Sequence, residues 1–360
     1  MKNRAFFFGL VSALLFGTST PVSKLLLESL SPFHLAGLLY IGSSLGVLPF
    51  LVRTHTLKFP SRRDKFTRHY LLGAIGLGGV CAPIFLLFGL QLASSASVAL
   101  WLNLELLGTM VLGVLFFKDH LSPVAGLAGL GMIAASVLLS LHEGTSGWIS
   151  GVLVLLACLC WGLDNHLTAL IDGITPSQTT FWKGLIAGSV NLMIGSFVSG
   201  INWHAFTLLG ALATGVIAYG ASIVLYIHAA QLMGATRSQI LFSSSPFFGV
   251  LFSVFLLGEH ISYFQWTASA VMIVSIALII FDRHNSHLHR HEAKEHEHWH
   301  RHDDGHHEHR HTSGTETTPG WHSHRHIHHA VIHAHTHLPD LHHRHTHEHS
   351  ETDSPENVDN

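Results

Sequence analysis

The chain has 360 residues, a net charge of −3, a mean hydropathy of +0.37 and only 11% charged residues. A soluble globular chain has about a quarter of its residues charged, so a water-soluble domain or a charge-driven nucleic-acid binder is excluded as the main body. The charge is divided unevenly: residues 1–281 carry 12 Lys+Arg and 8 Asp+Glu, net +4, and residues 282–360 carry 7 and 14, net −7. An apolar body therefore precedes a polar tail too poor in hydrophobic residues to fold alone.

From the N-terminus, Met1-Lys2-Asn3-Arg4 and the apolar stretch after it have the outline of a signal peptide. The run, however, reaches about Leu27, contains Pro21 and Lys24 and lacks a small-x-small cleavage site, so it reads as a retained first span. A membrane helix needs about 20 mostly apolar residues. The chain holds ten such runs, near Ala5–Leu27, Pro32–Val52, Tyr70–Leu92, Ser95–Phe117, Ser122–Leu141, Trp148–Ile171, Ser177–Ser199, Ala205–Ala230, Thr236–Leu257 and Tyr263–Phe281. Short connections make neighbouring helices antiparallel. Arg53, Lys58, Arg62, Arg63, Lys65 and Arg68 crowd the second connection, with Lys2, Arg4, Lys118 and Arg237 on the same side. The positive-inside rule then places that side, both termini and the tail in the cytoplasm of a multi-pass cell-membrane protein. Cys81, Cys158 and Cys160 all lie in apolar runs and read as small packing residues rather than a disulfide framework or ligand set.

The sequence repeats itself. Gln91-Leu92 through Lys118-Asp119-His120-Leu121-Ser122 aligns without gaps on Gln231-Leu232 through Gly258-Glu259-His260-Ile261-Ser262, at an offset of 140. Phe16-Gly17 and Pro32 find partners in Trp161-Gly162 and Pro176 at offsets of 145 and 144. A five-helix unit is odd, so its second copy enters the membrane upside down, an architecture of alternating-access carriers with a midplane site at the repeat interface. The expected fold class is an all-α integral membrane protein: a first repeat over 1–141, a second over 142–281, and a disordered His-rich cytoplasmic tail over 282–360.

The stretch Gly234-Ala235-Thr236-Arg237, Ser245-Pro246 and Leu256-Leu257-Gly258-Glu259-His260-Ile261-Ser262 resembles the second-repeat signature of the EamA family in the drug/metabolite transporter superfamily. The similarity covers roughly residues 5–281 and not the tail. It implies a secondary transporter, often an exporter, with a central cavity lined by both repeats, and cargoes ranging over amino acids, nucleosides, sugars, drugs and divalent metals. The chain departs from that pattern with Leu106 opposite Pro246, Lys118-Asp119 opposite Gly258-Glu259, and Tyr40 where many relatives carry a basic residue.

A charge at mid-bilayer costs at least about 2.5–3.5 kcal/mol, which makes buried ionisable groups candidates for function. Glu105 lies near the middle of the fourth span, two residues after Asn103. It is either a proton-coupling or cargo-binding carboxylate or a structural carboxyl bonded to a neighbouring helix. The repeat sets Ser245 opposite Glu105 and Ser243 opposite Asn103. Asp164-Asn165-His166 is the densest polar cluster; its Asp164 is a ligand or relay, or else the partner of Lys183, which can alternatively snorkel. Asp164 and His166 are about 200° apart on a helix and cannot share a face. His228 reads as interfacial. Pro246 is expected to kink the ninth span, with Ser243-Ser244-Ser245 satisfying freed carbonyls, and Pro21 marks a second weak point in the first. Tyr219 and Tyr226, seven residues apart, either line the cavity or pack. Gly258-Glu259-His260 is expected to end one helix and start the next. The transport-cavity set is thus Asn103, Glu105, Asp164, Asn165, Lys183, Tyr219, Ser243, Ser245 and Pro246.

The tail holds 25 of the 34 histidines. Imidazole is the commonest protein ligand for transition metals, and alternating H-x-H projects rings to one side of an extended chain. His322, His324, His326, His328, His333, His335, His337, His345, His347 and His349 are the candidate metal ligands, for Ni2+, Co2+ or Zn2+. No phosphate loop, nucleophile triad or H-E-x-x-H motif points to an enzyme, and no cofactor is required. The expected partners are membrane lipid, a small solute or divalent metal ion and protons as coupling ion, with no nucleic acid. Divalent metal is the favoured cargo because of the tail. The alternative is an amino-acid, metabolite or drug exporter whose tail is a cytosolic metal buffer or sensor.

Overall fold

The structure, a computed structural model, describes residues 2–54, 57, 59–60, 65–117, 122–171, 174–200, 204–233, 241–281, 286–291, 294–300, 322–328 and 331–336. Among them nine helices are long and apolar enough to cross a membrane, and a shorter apolar helix, Ser245–Leu257, stands in the ninth position. Several are compound, and how they are broken is what shapes the site.

The first span is α1 (Lys2–Gly17) and α2 (Ser19–Leu26), separated at Thr18. The break falls three residues before Pro21, and Leu15 O accepts from both the Thr18 N–H at 3.3 Å and the Thr18 hydroxyl at 2.7 Å, so the tightened turn is bonded twice to one carbonyl. After α3 (Pro32–Arg53), the third span runs as α4 (Lys65–Ala74), a π-helical turn (Ile75–Cys81) and α5 (Ala82–Leu92). The fourth splits into α6 (Ser95–Trp101) and α7 (Leu104–Phe117). Then follow α8 (Pro123–His142), α9 (Gly144–Ala169) and α10 (Pro176–Ser199). The eighth span repeats the design of the third: α11 (Ala205–Thr214), a π-helical turn (Gly215–Ala221) and α12 (Ser222–Met233). The ninth ends in α13 (Ser245–Leu257), and α14 (Tyr263–Phe281) closes the body. The two π-helical turns are related by an offset of 140, the same offset the sequence repeat carries.

The inverted repeat is also visible in packing. Lipid offers no hydrophobic drive between helices, so close approach and hydrogen bonds hold them together. Helices α3 and α10 pack against each other at the centre, and each also carries the π-helical turn of the other repeat: α3 that of Gly215–Ala221, α10 that of Ile75–Cys81. Two equivalent glycines permit equivalent crossings. A Cβ on Gly17 would lie 2.8 Å from Ser245 O and 3.1 Å from Gly249 N; one on Gly162 would lie 3.0 Å from Thr109 N and 3.1 Å from Gly108 C.

To the expected tail the structure adds two short antiparallel ladders. β1 (Ser286–His291) pairs with β4 (Val331–Thr336), and β2 (Lys294–His300) pairs with β3 (His322–His328). The alternating composition suits a period of two, and a two-stranded ribbon by itself is only marginally stable in water.

Candidate functional site

The broken spans bring polar groups to the middle of the bundle. Span four breaks at Leu102–Asn103 without a proline. The Asn103 side chain supplies the reason: its Nδ2 donates to Leu100 O at 3.1 Å, competing with the helix ladder, and lies 3.5 Å from Met272 Sδ of α14. At the equivalent place in span nine, Ser243 and Ser244 form a turn, and Ser244 Oγ donates to Leu241 O at 2.5 Å. Pro246 therefore does not kink a continuous helix, as the sequence suggested; it occupies the first turn of α13, where its missing N–H leaves no helical bond unmade. Ser245 is buried, with its carbonyl against Gly17, and Ser243 is half-buried.

Glu105 starts α7, immediately after that break. Asn165 of α9 donates from Nδ2 to Glu105 Oε1 at 3.0 Å and to Thr109 Oγ1 at 3.3 Å. The carboxylate is only half-buried, yet it interacts electrostatically with Tyr40, Asp164, Lys183 and Tyr226, which stand on spans two, six, seven and eight. Groups drawn from both repeats surround it.

The Asp164-Asn165-His166 cluster is split as helix geometry requires. Asn165 and His166 face α7, with His166 Nε2 2.9 Å from Thr109 O. Asp164 turns the other way, forms an ion pair with Lys183 of α10 and accepts from Thr168 Oγ1 at 3.2 Å. The pairing, not snorkelling, is the arrangement of Lys183. The Asp164 carboxylate also lies against Gly78 in the first π-helical turn, where a side chain of any size would displace it. A π-helical turn frees backbone carbonyls from the regular ladder, and here they are used. Gly78 O accepts from Tyr40 OH at 2.6 Å and from Trp161 Nε1 at 3.1 Å, and Gly79 O accepts from Asn191 Nδ2 at 3.1 Å.

On the second-repeat side the groups are aromatic. Tyr219, in the second π-helical turn, packs edge-on to Phe16 at 5.4 Å between ring centroids and lies 5.9 Å from Tyr40. Phe16 continues to Phe242 at 5.3 Å, and Phe242 to Tyr226 at 5.3 Å. Glu105, Asn165, Asp164 and Lys183 thus come together with this belt, whereas Asn103 turns to α14 and Ser245 to the α1 crossing. Sequence reasoning missed Phe16, Tyr40, Gly78, Thr109 and Trp161. Two signals were available: Tyr40 stands where many relatives carry a basic residue, and Phe16-Gly17 pairs with Trp161-Gly162, each aromatic leaning on a π-helical turn. Cys158 is buried, with its thiol 3.8 Å from Trp101 O, in keeping with a packing role.

Of the tail histidines, His322, His324, His326 and His328 fall in β3, and His333 and His335 in β4; His337, His345, His347 and His349 lie outside the described residues. The register sets His296 opposite His326, His298 opposite His324, His300 opposite His322, His287 opposite His335 and His289 opposite His333. No cluster of three or more His, Cys, Asp or Glu able to hold a metal is found among the described residues.

Apolar helices in two inverted repeats, closed around a polar and aromatic centre, define a multi-pass membrane transporter, not an enzyme. The model of the EamA-like transporter family matches residues 3–141 and again residues 148–281, and the chain belongs to that family. An uncharacterized transporter of Methanothermobacter thermautotrophicus is 26% identical over 297 residues, covering 76% of this chain and 85% of that protein. The uncharacterized inner membrane transporter YedA of Escherichia coli K12 is 26% identical over 298 residues, covering 77% and 91%. A solved crystal structure superimposes with a TM-score of 0.59 at 15% identity, covering 78% of this chain and 98% of the other, a likeness of fold alone.

Proposed function

We propose that the protein is a secondary exporter of a small organic solute, oriented with both termini in the cytoplasm, and that its tail is a cytosolic metal-binding appendage. The observation that carries this reading is the centre itself: one half-buried carboxylate, Glu105, held by Asn165 beside the Asp164–Lys183 pair and the aromatic belt. Such a site holds a solute through one charge, a few hydrogen bonds and ring faces. Glu105 is the coupling group, carrying a proton when cargo has left and releasing it when cargo returns. The inverted repeat supplies the alternating access that moves the site from one side to the other.

A second reading, export of nickel, cobalt or zinc, draws its support from the tail, where five cross-strand histidine pairs suit divalent transition metals. One experiment separates the two. Cells expressing the full chain, the chain ending at Phe281 and Glu105→Gln are compared for metal accumulation and for efflux of a panel of labelled amino acids and amines. Organic-solute export predicts solute efflux that survives truncation and falls at least about tenfold in Glu105→Gln. Efflux of metal that depends on both Glu105 and the tail, with no solute moved, would overturn it in favour of the second reading.

A further inference from the structure

At the end of the bundle opposite the termini, a polar network joins helices of both repeats. Glu259 follows Gly258, whose φ of +65° ends α13 in the left-handed conformation that glycine adopts without penalty. The turn aims Glu259 away from its own helices and across to α6. Its Oε1 accepts from Ser95 N–H at 2.8 Å and its Oε2 from Ala96 N–H at 2.9 Å. From the connection between α8 and α9, Glu143 accepts from the Ser94 N–H at 3.3 Å and from the Ser94 hydroxyl. Lys24, in the last turn of α2, donates to Leu90 O at 2.6 Å and Ala93 O at 2.9 Å, the carbonyls that close α5, and interacts electrostatically with both carboxylates. Gln265 of α14 donates to Ser94 Oγ at 3.1 Å and Ser97 Oγ at 3.0 Å, and Ser253 of α13 donates to Ser95 Oγ at 2.9 Å.

We propose that this network is the outer gate of the carrier, with Glu259 as the latch that joins the second repeat to the first. The inference rests on the transporter reading and on its orientation. Lys24 belongs to span one, Ser94–Ser97 to spans three and four, and Glu259 and Gln265 to spans nine and ten. All of them must separate for the central site to open at this end. A carboxylate bonding two backbone N–H groups is charge-assisted on both oxygens. Glutamine offers one acceptor in the same shape and turns its NH2 toward a second N–H, so Glu259→Gln breaks half of the latch and adds a donor–donor clash while keeping the volume. Gly258 both ends α13 and delivers the carboxylate, and the sequence motif that reads as a helix stop is therefore also a contact between repeats.

The test uses the full chain with Cys81, Cys158 and Cys160 replaced by alanine and a reporter cysteine at Ser19, a buried position below Lys24 beside the second-repeat aromatics. A membrane-impermeant maleimide is applied to right-side-out and to inside-out vesicles. With the gate intact, labelling from outside is slow. Glu259→Gln and Lys24→Met each raise the outside rate at least about tenfold, while both variants keep the elution profile and a cooperative melting transition of a folded carrier, and Glu259→Asp gives an intermediate rate. An unchanged rate in a folded Lys24→Met or Glu259→Gln, or a rise confined to inside-out vesicles, overturns the gate. Labelling is read without any cargo, so loss of the exporter reading and loss of the gate are distinguishable. A rise in labelling in a chain that moves no solute retains the gate and removes the proposed cargo. Solute efflux with labelling insensitive to these variants does the reverse.

Discussion

Lys183 and Asp164 illustrate what a single pair decides in a membrane interior. Each side chain alone would be an uncompensated charge in a poorly solvated place, and together they cross-link α9 to α10. Lys183→Ala is expected to destabilise the protein by about 3–5 kcal/mol, because it strands the Asp164 carboxylate. The double variant Lys183→Ala/Asp164→Asn should recover most of that loss, as measured by thermal unfolding in detergent; additive losses would mean the pair is not coupled. The sequence held this pairing only as one alternative, since nineteen positions of separation across two helices say nothing about which faces meet. The helical period did determine that Asp164 and His166 diverge, and they do. Asn103 could not be placed from sequence. Its proximity to Glu105 suggested a shared cavity, but its side chain bonds Leu100 O at the helix break and lies against Met272 of α14 instead.

At the scale of elements, breaks carry more information than spans. Apolar runs of about 20 residues locate helices because the bilayer demands them. The same physics leaves a single polar turn or π-helical turn nearly invisible, since it alters neither hydropathy nor length. Proline was legible but misleading in detail: Pro246 sits where α13 begins rather than inside a helix. Pro246→Ala should accordingly change stability by less than about 1 kcal/mol, against roughly 3 kcal/mol for a proline in a helix interior, when melting is compared with the parent. The glycine crossings respond in the opposite sense. Gly162→Ala and Gly17→Ala each place a Cβ at about 3 Å from backbone atoms of the helix they cross, and each should cost about 1–3 kcal/mol. Near-neutral melting in both would show that the crossings are looser than the geometry requires. The larger loss is expected for Gly17→Ala, whose Cβ would lie 2.8 Å from Ser245 O, against 3.0 Å from Thr109 N for Gly162→Ala.

For the whole molecule, body and tail obey different solvents. The body is held by close helix contacts and buried hydrogen bonds in an apolar medium, and the tail is a polar chain in water. Truncation after Phe281 should move the melting temperature by less than about 2 °C, while removing most transition-metal binding by the purified protein; a large drop in melting would mean that the tail packs on the body. The sequence by itself located the apolar helices in their order, the internal repeat and the histidine brush. Each is written in local composition or in an offset that needs no third dimension. Only the tertiary structure decided which polar groups meet: that Glu105 pairs with Asn165, that Asp164 pairs with Lys183, and that Glu259 reaches past its own helix to α6. Those contacts depend on the facing of helices and on where each one is interrupted. Both are set by packing between repeats rather than by the residues of any one span.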